Sequence, residues 1–219
     1  MKKLLQISLA LATLLGAAAT VQAKEAASAA PAVQTKIAMC IGCHGIPGYQ
    51  ASFPEVHKVP MIAGQNAKYI ASALTAYAKG ERKHPTMRGI ALSLTEQDIT
   101  DISAFYETQA GVPPVAETVP APSAQVAELL TKGACVSCHG ANFSKPIDGA
   151  YPKIAGQHAD YLNVALKSYQ TEGQAVVGRS NAIMAGQVKQ FSAAELKALA
   201  KYLASLPSEL RTVPQSKLR

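Results

Sequence analysis

The sequence predicts an all-α protein built from one helical repeat used twice. Three observations lead there. Apolar residues recur at three- and four-residue spacing, two capped helix starts stand at matching places, and no stretch alternates convincingly as a strand would.

The N-terminus comes first. Lys2 and Lys3 precede a largely apolar run from Leu4 to Ala19, and Val21-Gln22-Ala23 fits a small-x-small cleavage pattern. The run is short of the ~20 residues that a membrane span needs. Residues 1–23 therefore read as a cleaved export signal, with an uncleaved anchor as the competing reading. The mature chain then begins near Lys24 and works in the periplasm. Losing Lys2 and Lys3 leaves nineteen basic against fourteen acidic residues, a formal charge of +5. That suits docking to an acidic protein face or loose attraction to a membrane surface, and equally a basic surface with no specific partner. Export and the lack of a dense basic run with interleaved aromatics argue against nucleic acid.

The repeat follows. Cys40-Ile41-Gly42-Cys43-His44-Gly45 matches Cys135-Val136-Ser137-Cys138-His139-Gly140. Pro60-Met61-Ile62-Ala63-Gly64-Gln65 matches Pro152-Lys153-Ile154-Ala155-Gly156-Gln157, Tyr69 and Tyr77 match Tyr161 and Tyr169, and Met87 matches Met184. Between the copies, residues 111–123 carry Pro113, Pro114, Pro120 and Pro122, the composition of a semi-rigid spacer. The expected domains are residues 33–110 and 124–207. The polar, basic tail after Pro207 either packs or frays.

Within the copies, short helices are expected before each cysteine pair, over 33–39 and 126–132. Tyr69, Ile70, Ala73, Leu74 and Tyr77 share one helical face, and Tyr161, Leu162, Ala165, Leu166 and Tyr169 repeat it. Thr95-x-x-Asp98 and Ser192-x-x-Glu195 are capping patterns for the last helix of each copy. The buried stripes behind them are Ile99, Ile102 and Phe105, and Leu196, Leu199 and Tyr202.

Chemistry concentrates in the cysteines, all four of which lie in the two Cys-x-x-Cys-His motifs. Two thiols three positions apart on a helical turn can form thioethers with the two vinyl groups of one haem, and the next residue, His, then lies under the iron. A disulfide framework, a zinc site and a thioredoxin-like redox pair compete. A framework does not ask for His after each pair, the repeat gives each pair its own domain, and a βαβ setting is missing. The reading is two covalent haem c groups, held by Cys40, Cys43, Cys135 and Cys138, with His44 and His139 as axial ligands.

The sixth ligand must come from elsewhere. Met39 aligns with Ala134 and Met61 with Lys153, so only Met87 and Met184 match across the copies. Each is expected in a loop folded over the haem. His84 is the rival in the first copy, but Asn181 takes its place in the second, so it reads as a surface residue. His57 and His158 read as exposed. Pro60 and Pro152 either shape their loop or offer a carbonyl to the ring N–H of the axial histidine, and the residues alone do not decide.

The order of these motifs resembles a class-one cytochrome c domain, and two in tandem after an export signal resemble the dihaem cytochromes of the c-four kind. The resemblance covers nearly the whole mature chain. It implies two class-one folds, haems close enough to exchange electrons, Pro60 and Pro152 accepting from the axial histidines, and delivery of electrons to a terminal oxidase or another respiratory acceptor.

His and Met together fill the iron's coordination, so the chemistry left is one-electron transfer. An electron carrier is expected rather than an enzyme, with redox proteins as donor and acceptor. The alternatives are the cytochrome subunit of a larger redox enzyme, such as a flavocytochrome sulfide dehydrogenase, and a dihaem peroxidase, which needs an open iron position. The core is thin for two small domains, with eight Tyr, four Phe and no Trp. Haem would supply the missing bulk. Arg88 beside Met87, against Ala185 beside Met184, is expected to raise the potential of the first haem.

Overall fold

The computed structural model describes residues 33–110 and 120–214. The expected export signal, 1–23, and residues 111–119 of the expected spacer lie outside the described residues. Residues Met39–Arg219 form one compact unit, so both cysteine motifs belong to a single body.

Helix α1 covers residues 33–44 and runs through the first cysteine motif, past the expected end at Met39. Two-residue strands β1 (Gln50–Ala51) and β2 (His57–Lys58) follow, then α2 (Ala67–Lys79), β3 (Arg82–Lys83), α3 (Pro85–Leu92) and α4 (Glu96–Glu107). The second copy holds α5 (Ala124–Lys132), α6 (Val136–His139), α7 (Ala159–Gln170), β4 (Gly178–Arg179), α8 (Ala182–Val188) and α9 (Ala193–Ala204). Here the chain turns between α5 and α6, with Ala134 at φ 45°.

The helices start and stop where side chains satisfy free backbone groups. Both expected capping boxes form: Thr95 accepts from the Asp98 N–H and Ser192 from the Glu195 N–H, while each carboxylate accepts from the cap residue's own N–H. Ser123 caps α5 by accepting from the Val126 N–H. Helix α2 ends at Gly80, whose φ of 76° breaks the helix.

Packing repeats in the two copies. Helix α2 lies against α3 and α4, and α7 lies against α8 and α9. In the second copy Leu129, Phe143, Leu196, Leu199 and Leu203 form the centre of the core. The copies meet through β3 and β4, which pair antiparallel with Arg82 opposite Arg179. Strands this short leave no periodicity to read in the sequence.

The start of the tail packs rather than frays. Leu210 is buried, the Arg211 N–H donates to the Ala63 carbonyl, and Glu209 takes a 2.6 Å ion pair from Lys153. The second copy's C-terminal strap thus reaches the first copy's Pro-x-Ile-Ala-Gly-Gln loop.

Candidate functional site

Each copy folds around a cavity. The first, about 410 Å³, is lined by Cys40, Cys43, His44, Pro60 and Met87. The second, about 510 Å³, is lined by Cys135, Cys138, His139, Pro152 and Met184. Both volumes fall in the ~300–1,000 Å³ range of cofactor sites. All ten residues singled out by the sequence therefore gather in two matching sets. The four cysteines are free thiols, and each pair faces its own cavity, so they do not converge on one metal. Burial pushes the thiols of Cys40 and Cys135 up, which keeps them protonated.

The histidines are held alike. Nδ1 of His44 donates to the Pro60 carbonyl at 2.8 Å, and Nδ1 of His139 donates to the Pro152 carbonyl at 3.0 Å. Burial lowers both histidine pKa values, and it outweighs the proline carbonyls, which raise them. Neutral imidazoles with the proton fixed on Nδ1 leave Nε2 as a lone-pair donor. The proline carbonyl left undecided by the sequence is thus in contact with the histidine in both copies.

The loop containing Pro60 and Pro152 is set by its glycines. Gly64 and Gly156 sit at φ 84° and 66°, and their N–H groups donate to Tyr106 and Leu203 of the last helices at 2.8 Å. A side chain on Gly64 would strike the Glu209 backbone.

Met87 and Met184 were expected in loops. They lie instead in the first turns of α3 and α8. The reason is capping: His84 Nδ1 accepts from the Met87 N–H at 3.4 Å, and Asn181 Oδ1 accepts from the Met184 N–H at 3.0 Å. Pro85 in the first turn strengthens the start of α3. His84, expected on the surface, is half-buried and lines the first cavity, but its Nδ1 is engaged as a helix cap.

His57 is also not exposed. It is only 5% accessible, donates from Nδ1 to the Glu55 carbonyl at 2.7 Å, and lies beside the Tyr161 ring of the other copy. His158 is half-buried. The other copy's Tyr161 lies over His57, and a single repeat cannot show that.

Two residues that the sequence reading missed are Arg82 and Arg179. Arg82 is buried and lines both cavities, whereas Arg88, the arginine singled out earlier, is exposed. Arg82 donates to the hydroxyls of Tyr69 at 3.1 Å and Tyr161 at 2.9 Å, and Arg179 donates to Tyr161 at 3.2 Å. The guanidiniums also stack on Tyr77 and Tyr169. Burial raises the Tyr161 phenol, but Arg179 and Arg82 outweigh it and bring the pKa down to about 8. The Nε of Arg82 is buried without a partner. A signal for this pair existed: Arg82 and Arg179 each stand five residues before the matched methionines.

Comparison with known proteins fits this arrangement. The Cytochrome c family model matches residues 123–207. Cytochrome c4 of Thiocapsa roseopersicina is 30% identical over 188 residues, covering 77% of this chain and 87% of that protein. A thiosulfate dehydrogenase electron acceptor of Thiomonas intermedia is 27% identical over 190 residues, covering 80% and 82%. The crystal structure of reduced cytochrome c4 from Pseudomonas stutzeri superposes with a TM-score of 0.60 at 29% identity, covering 81% of this chain and 98% of that one.

Proposed function

The chain belongs to the cytochrome c4 family, and from that premise we propose that each cavity fastens one haem c through its own cysteine pair, histidine and methionine. The protein is a dihaem electron-transfer cytochrome, an electron carrier rather than an enzyme, and its partners are redox proteins. The observation that carries the assignment of residues is the pairing of the two cavities. Each is lined by two thiols, a Met and a His whose Nδ1–H is tied to a proline carbonyl.

The residues present fit haem. Its propionates are anions, and the buried guanidinium shared by the two cavities has an unpartnered Nε to offer a carboxylate. When bound, haem supplies a one-electron ferric/ferrous couple, whose potential a Met ligand raises.

The protein's own work is positional. Cys40 with Cys43, and Cys135 with Cys138, would anchor the two groups. His44 and His139 present Nε2 because the proline carbonyls hold the proton on Nδ1. The caps on α3 and α8 fix the backbone of Met87 and Met184, so each thioether reaches its cavity from a stiff turn. His44 with Met87, and His139 with Met184, would together hold the iron and leave it no position to offer oxygen or peroxide. The two copies correspond to domains 33–110 and 124–207. Export by residues 1–23 to the periplasm, and a terminal oxidase as acceptor, belong to this proposal.

A second reading, a firmly held subunit of a larger redox enzyme, is favoured by the similarity to a thiosulfate dehydrogenase electron acceptor. Elution of the protein from native extract, alone or in a complex, separates the two. The main reading is tested by the mass and a spectroscopic redox titration of the purified protein. Two haems per chain, each with the weak Met-to-iron band, are expected. A colourless polypeptide, or a haem without that band, overturns it.

A further inference from the structure

We propose that Gln157 positions the axial histidine of the first copy and Gln65 that of the second, so that each half tunes the haem of the other. The inference rests on the two haem sites proposed above.

Gln65 and Gln157 are both buried, each 4% accessible. Each side chain crosses to the opposite copy and clasps one residue's backbone. Gln157 Oε1 accepts from the Met61 N–H at 3.0 Å, and Gln157 Nε2 donates to the Met61 carbonyl at 2.8 Å. Gln65 does the same to Lys153, at 2.9 Å in both directions. Each Oε1 also accepts from its own next residue, Asn66 or His158. Two N–H groups at one end and a carbonyl at the other admit a single orientation of the amide.

Met61 and Lys153 directly follow the prolines that hold the histidines. The Pro60 carbonyl and the Met61 N–H therefore belong to one planar peptide unit. That plane is pinned on its oxygen side by His44 Nδ1–H and on its nitrogen side by Gln157 Oε1. The Pro152–Lys153 plane is pinned likewise by His139 and Gln65. Hydrogen bonds in a chain polarise one another, so a peptide whose N–H is engaged has a better acceptor carbonyl. A better acceptor makes the imidazole a more basic ligand and fixes its ring. More basic histidine favours ferric over ferrous iron.

The sign of the effect follows. In the dihaem protein, Gln157→Leu should raise the ferrous-to-ferric ratio of the first haem about threefold at fixed applied potential, an order-of-magnitude figure for losing one cooperative hydrogen bond. It should also shift the His44 Nδ1–H proton resonance and leave the second haem near its original value. Gln65→Leu should do the reverse. Gln157→Glu keeps an oxygen facing the Met61 N–H and should return the first haem towards the native ratio. Haem methyl resonances assign each haem. Shifts confined to the variant's own half, equal shifts in both, or no shift overturn the proposal. Loss of a haem from the native protein would instead strike the reading on which it rests, and mass measurement distinguishes the two.

Discussion

Arg82 of the first copy donates a 2.9 Å hydrogen bond to the Tyr161 hydroxyl of the second, and Arg179 shares that oxygen at 3.2 Å. Among the described residues, phenols and not carboxylates surround buried Arg82 and half-buried Arg179. A buried charge without a counter-charge is costly, so an anionic group entering the cavities would stabilise the cluster. A fixed positive charge disfavours ferric iron. Arg82→Gln should therefore lower the potential of both haems by tens of millivolts, where ~59 mV is a tenfold change in the ferric-to-ferrous ratio. Arg88→Ala, at an exposed site, should move them far less because solvent screens it. Spectroelectrochemical titration of the three proteins checks the order.

That contrast shows what the sequence could and could not reveal. The cysteine motifs, the matched methionines and the capping boxes are local in sequence, and each appears twice, so repetition exposes them. Arg82 acquires its role only by facing Tyr161, which is remote along the chain, and His57 also packs beside that ring of the second copy. The Pro-x-Ile-Ala-Gly-Gln loop was visible as a repeat, but its division of labour was not. Its proline holds a histidine, its glycine meets the last helix, and its glutamine reaches the other copy. Helices α3 and α8 escaped notice because His84 and Asn181 are different cap residues in the same position.

The glycines of that loop give a packing prediction. Gly64 has φ 84°, and an added Cβ would meet the Glu209 carbonyl oxygen at 2.7 Å and Ala110 Cα at 2.9 Å. Gly156 has φ 66° and would meet Ser208. Neither backbone can retreat without disturbing the strap that carries the Lys153–Glu209 pair. Gly64→Ala and Gly156→Ala should each destabilise the holoprotein by about 1–3 kcal/mol. Gly89→Ala, with open space at the Cβ, should be nearly neutral. Denaturant unfolding followed at a haem band and by circular dichroism measures all three.

The cap of α9 predicts a pH effect. The Ser192 N–H and hydroxyl both donate to Glu195 Oε2, at 2.7 Å each, and these bonds hold the carboxyl below its usual range. A depressed carboxylate pKa stabilises the fold above the unfolded-state value, and that contribution is lost as pH falls through the folded value. Glu195→Gln can still accept but cannot titrate, so its stability should vary less with pH through the acid range than the native protein's. Ser192→Ala removes the reciprocal cap and should cost about 1 kcal/mol at neutral pH. Unfolding curves from pH 3 to 7 test both.

The cavities themselves predict dependence of folding on haem. In the second copy a space of about 510 Å³ lies among Leu162, Leu199, Leu203 and Phe191, the same residues that make up its core. Leaving so large an apolar space unfilled costs on the order of 10 kcal/mol, at ~24 cal/mol per Å³ of cavity. That is comparable with the ~5–15 kcal/mol net stability of a typical domain. His139 and the Arg82–Arg179 cluster would also lose their partners. Cys135→Ala/Cys138→Ala should therefore lose helix content equal to much of α5–α9, read by far-UV circular dichroism, and amide exchange should become fast in those helices while α2–α4 stay protected. A second copy that kept native dispersion and slow exchange without its haem would show that its side chains alone suffice to close the core.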